Sequence, residues 1–106
     1  MFIINYDKDM NMSECATTDT AAVTAARQPI ETYARTLAPG YPSHGYFVNV
    51  ALSTAAELEQ GRYDGHPHRV DHVTGAAACL DQEAHFAPRD VAQHMTELAR
   101  LLRAAA

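Results

Sequence analysis

The chain has no tryptophan, a single lysine and two cysteines among its 106 residues. Lys and Arg together number eight against 13 Asp and Glu, for a formal net charge of −5. Nucleic acids are held by a basic surface that displaces condensed counterions. The nearest approach to one is Arg100 and Arg103, which read as favourable charges at the end of a helix. No nucleic-acid partner is therefore expected. Cys15 and Cys79 are too few for a disulfide framework, which points to reduced thiols and a cytoplasmic setting. No apolar run approaches the ~18 residues that mark a membrane span, so no membrane partner is expected. Met1–Tyr6 is apolar but short, and Asp7, Lys8 and Asp9 follow at once, unlike a signal peptide.

Catalytic patterns are equally scarce. Glycines 40, 45, 61, 65 and 75 are scattered, so no phosphate-cradling loop exists. Ser13, Ser43 and Ser53 lack the context of a nucleophile elbow. His72 and His85 stand off the one-turn spacing from Cys79, so a Cys–His pair would need tertiary approach. Glu57 and Glu59, two apart, would face different ways on a helix.

What the chain does have is alanine, 20 residues of it, the strongest helix former because ordering costs it no side-chain entropy. Val23, Ala26, Ile30, Tyr33 and Leu37 recur at helical spacing, which predicts a helix over Thr18–Leu37. Pro29 lies within it and predicts a kink or short break near Gln28. Ala38–Gly45 reads as a loop by its Pro and Gly content.

The next segment has two readings. As one long helix over Tyr46–Gln60 it aligns Phe47, Ala51, Ala55 and Leu58, with Gly61 as its stop. As a strand it alternates Tyr46, Val48, Val50 and Leu52, with Thr54 and Glu57 then boxing a shorter helix. Val73, Ala77, Leu80 and Ala84 give a third helical stripe, weakened by Gly75. The fourth is the clearest. Pro88 suits its first position, Phe86 and Val91 flank its start as a staple, Asp90 places negative charge there, and Val91, Met95, Leu98 and Leu102 make an unbroken stripe.

The expected fold is mainly α, a compact bundle of about four helices over residues 13–106. Residues 1–12 would be an N-terminal extension or an edge strand. The alternative is α+β, with short strands at 2–6 and 45–52.

One constellation carries chemical potential. His66, His68 and His72 fall within seven residues, beside Asp64 and Asp71. Neutral imidazole is a common metal ligand, and a carboxylate can complete or orient a site. If a helix starts near Arg69, His68 and His72 stand one turn apart on one face. The candidate metal set is His66, His68, His72 and Asp64, with zinc the natural divalent ion. No H-E-x-x-H motif accompanies it. Asp71 also reads as a helix cap.

A second candidate surface is the PGYPSHGYF segment with Tyr41, Tyr46 and Phe47, residue types favoured at protein interfaces. The sequence thus points to a small acidic, non-catalytic protein that acts through contact with a protein partner or as a homo-oligomer. A regulator, accessory subunit, immunity or antitoxin-type protein, or inhibitor would fit. The alternatives are a metal-binding protein built on the histidines and a helical bundle that holds a small molecule.

Overall fold

Four α-helices form: α1 Thr20–Ala34, α2 Pro42–Glu59, α3 Arg69–Ala84 and α4 Arg89–Ala105. The computed structural model describes residues 19–37 and 42–106. The candidate extension or strand at 1–12, Cys15 and Tyr41 lie outside them.

Each helix starts and stops for a local reason. α1 begins after Asp19, whose Oδ1 accepts the Ala22 N–H at 3.1 Å. This capping bond satisfies a first-turn donor and moves the start two residues past the expected Thr18. α1 continues through Pro29 without the predicted break. The proline removes one backbone donor, while Ala26 and Ile30 on the turns around it are buried in the core.

α2 opens at Pro42, four residues before the expected start at Tyr46. Proline has the φ of a first helical turn, and that turn has no use for its missing N–H. The strand alternative over 45–52 is overturned: the segment is helical, with Val48, Ala51, Leu52, Ala55 and Leu58 buried. The buried stripe starts at Val48 rather than Phe47. Thr54 lies inside the helix, its hydroxyl donating to the Val50 carbonyl at 3.0 Å, so it starts no shorter helix.

Gly61 does end α2. Its φ of +76° lets the Arg62 N–H reach the Glu57 carbonyl at 3.0 Å, while its own N–H reaches Leu58 at 3.1 Å. This is the paired reverse bonding of a Schellman motif, which suits glycine at the left-handed position.

His68 caps α3 without a side-chain bond, and Asp71 lies in the first turn instead of at the cap. There its charge complements the helix dipole. Pro88 is the cap of α4, one position earlier than expected, with Asp90 in the first turn and Arg103 in the last. Phe86 remains 66% exposed and adds little burial to that start.

Each helix packs against the next, and α1 also packs against α4, so the four close into a ring. The core is built from Val23, Ile30, Val48, Val73, Leu80, Met95, Leu98 and Leu102, all but sealed from solvent. Burying an aliphatic side chain of this size contributes about 1.5–3 kcal/mol, so this set dominates the folding free energy. Ala76, Ala77, Ala99 and Ala105 are buried as well, on α3 and α4. No described helix is long and apolar enough to cross a membrane.

An ion-pair cluster ties α1 to α2. Arg27 meets the Glu59 carboxylate with Nε at 2.7 Å and Nη2 at 3.1 Å, and also bonds Glu31 one turn along. The Thr24 hydroxyl adds a bond to Glu59 at 2.6 Å. Burial alone would raise the Glu59 pKa, but the bonds from Arg27 and Thr24 outweigh it and hold the group below its ordinary value. Thr24 lies in the first half of α1, Arg27 at its middle, and both meet Glu59 at the end of α2, so the two helices run antiparallel.

Candidate functional site

The turn from α2 to α3, residues 60–68, gathers the histidines. After Gly61 the chain places Tyr63 inward, with 9% of its surface exposed, and its hydroxyl donates to Glu57 at 2.9 Å. Burial, then the hydrogen bond to Glu57 and its charge, pushes the Tyr63 pKa above its ordinary value, so the ring stays neutral. Gly65, with φ +70°, takes the left-handed position in this turn.

Two imidazoles stand beside this tyrosine, and a third, His68, stands beside those two. The centroids of His66 and His72 each lie 5.6 Å from that of Tyr63. His66 and His72 are 5.6 Å apart, His66 and His68 5.9 Å, and His68 and His72 6.4 Å. All three are exposed on their outer sides. His68 caps α3 and His72 lies one turn into it, its N–H bonded to the His68 carbonyl at 3.0 Å. His66 is held by its own ring: Nδ1 accepts the His68 N–H at 3.0 Å. The sequence-predicted trio is therefore one cluster in space. Among the described residues, no three His, Cys, Asp or Glu side chains have their donor atoms set for one ion as they stand.

Asp64, the fourth member of the candidate set, faces a different partner. Its Oδ1 lies 3.3 Å from Arg69 Nη1. The same guanidinium reaches across to α4 and donates to the Ala105 carbonyl from Nε at 3.0 Å and Nη2 at 2.8 Å. A helix leaves its last carbonyls without partners of their own, and a cation there also suits the dipole. Sequence reasoning missed both Tyr63 and Arg69. Tyr63 carried a signal, an aromatic residue bracketed by two glycines in a polar turn. Arg69 carried none, because its partner is 36 residues away.

Of the aromatic candidates, Tyr46 and Phe47 sit toward the other end of α2, about 20 Å from this turn at 1.5 Å per residue. Tyr46 is 65% exposed and Phe47 40%, with ring centroids 5.5 Å apart and planes at 73°. That is the edge-to-face arrangement favoured by aromatic quadrupoles. Val50, one turn on from Tyr46, is 38% exposed and extends the same face. Sequence reading had placed Phe47 on the buried stripe as well as in the interface set. The structure puts it at the margin of that stripe and partly in water.

Two open grooves lie on the described surface. One, of about 470 Å³, lies between α1 and α2 over Ala34, Leu52 and Ala56, rimmed by Glu31, Arg35 and Asn49. The other, of about 370 Å³, lies between α1 and α4 beside Tyr33, Val91 and His94. Cys79 is half-buried, and burial followed by the Glu83 charge pushes its pKa up. That is the opposite of what a nucleophilic thiol requires.

Comparison of the chain with protein-family models, with curated proteins and with solved structures finds no match.

Proposed function

We propose that this protein works by contact with another protein chain, through the face of α2 formed by Tyr46, Phe47 and Val50. The observation that carries the reading is the exposed edge-to-face pair of Tyr46 and Phe47. Large apolar side chains gain free energy when removed from water, and these three lie together on one helical face. Tyrosine at such a place covers much area at small entropic cost. The net charge of −5 favours a partner with a basic rim around its apolar patch. The class is a non-catalytic regulator, accessory subunit, immunity or antitoxin-type protein, or inhibitor.

A photo-crosslinking amino acid placed at Tyr46 tests this in cells that express the protein. It should trap one discrete chain, a second copy or another protein. The same group at the exposed Gln93 of α4 should not. Equal, diffuse labelling from both positions would remove the proposal.

A further inference from the structure

We infer that the partner of the α2 face is a second copy of this chain, related to the first by a two-fold axis that lays the two α2 helices antiparallel. The inference rests on the reading of Tyr46, Phe47 and Val50 as a contact face. Its first support is charge. Residues 36–56 include no Asp, Glu, Lys or Arg, in a chain of which 20% is charged. Depletion of charge marks the buried centre of protein interfaces. The net charge of −5 is therefore carried elsewhere, and two copies bring no block of like charge together here. The exposed Arg35 at the groove between α1 and α2 gives each copy the basic rim that an acidic partner favours.

Shape supplies the second support. α2 carries a ridge and a hollow side by side. The ridge is Tyr46, Phe47 and Val50. The hollow is the groove of about 470 Å³ over Ala34, Leu52 and Ala56, with Asn49 and Ser53 on its α2 wall. Tyr46, Asn49 and Ser53 recur at spacings of three and four, so one stripe of α2 leads from ridge to hollow. Their centres are offset by about five residues, or about 7 Å along the helix. A two-fold axis level with Val50 sets the ridge of each copy over the hollow of the other, as an isologous interface requires. An unrelated partner would have to bring a ridge and a hollow at that same offset; a second copy has both. Aromatic side chains bury about 150–250 Å² each, so four half-exposed rings, two valines and the hollows that receive them remove on the order of 1,000 Å² from water. That reaches the threshold of a specific interface and matches a reversible dimer.

Sedimentation equilibrium of the purified chain, from low micromolar to near-millimolar concentration, should follow a monomer–dimer equilibrium. Val50→Asp sets two carboxylates against each other near the axis, and Ser53→Arg fills the hollow. Each should weaken dimerisation by at least about tenfold. Gln93→Asp, on the exposed side of α4, should leave it unchanged. A chain that stays monomeric throughout overturns the dimer; if Tyr46 still crosslinks to one different protein, the contact face stands and only its partner changes. A dimer that forms equally well in Val50→Asp and Ser53→Arg uses another surface and also overturns the inference. Far-ultraviolet circular dichroism of each variant separates a lost interface from a lost fold.

Discussion

The guanidinium of Arg69 donates two hydrogen bonds to the carbonyl oxygen of Ala105, joining the first residue of α3 to the last residue of α4. The contact closes the antiparallel α3–α4 hairpin at the end opposite its connecting loop. Its side chain is 13% exposed, so water is a poor substitute for the guanidinium. Arg69→Met keeps the aliphatic stem and removes the donors. It should lower stability by about 1.5–3 kcal/mol, the range for hydrogen bonds to charged groups. Urea denaturation checks this as a lower midpoint at unchanged slope. A midpoint equal to that of the parent would show the bonds to be worth nothing net.

Two glycines should respond to alanine with opposite signs. A Cβ on Gly75 would meet nothing within 4 Å, and the residue is inside α3. Gly75→Ala should stabilise by about 1 kcal/mol, the helix-propensity difference. At Gly61 the φ is +76° and a Cβ would stand 2.9 Å from Asp64 Oδ2. Gly61→Ala should destabilise by about 1–2 kcal/mol from the left-handed backbone. Thermal melts of the two variants, run beside the parent, read both signs at once.

The Arg27–Glu59 pair predicts an acid dependence. Glu59 is held below its ordinary pKa in the folded state. The unfolded carboxylate titrates near about 4.3, so the contribution is complete above that pH and is lost as pH falls through the folded value. Glu59→Gln should therefore be less stable than the parent at neutral pH, and the gap should narrow below about pH 4. Denaturation midpoints across the acid range decide it; a gap constant with pH would sink the assignment.

Much of the fold was legible in the chain because the strongest signals were local. The Val91–Met95–Leu98–Leu102 stripe is the buried face of α4, and Gly61 stops α2 as its neighbours suggested. Tyr46–Leu52 was not decidable from pattern. Its residues satisfy both the period of a strand and that of a helix, and only packing against α1 and α3 selects the second. The start at Pro42 was hidden because proline serves loops and first turns equally well. At the candidate site, the grouping of the three histidines was readable from their spacing. The tyrosine beside His66 and His72 and the separate engagement of Asp64 were not, since both depend on how the turn folds between its helices.

The buried alanines of α3 and α4 set the mutational tolerance of the hairpin. Ala76, Ala77 and Ala99 are at most 3% exposed. Side chains that small leave no slack to be taken up by a rotamer change. Replacement by anything larger must displace the packed neighbours, a strain that costs about 1–3 kcal/mol. The outward-facing Tyr46 and Val50 meet no such limit. In folding terms, sequence drift is therefore far freer at these exposed positions of α2 than at the buried alanines of the last two helices.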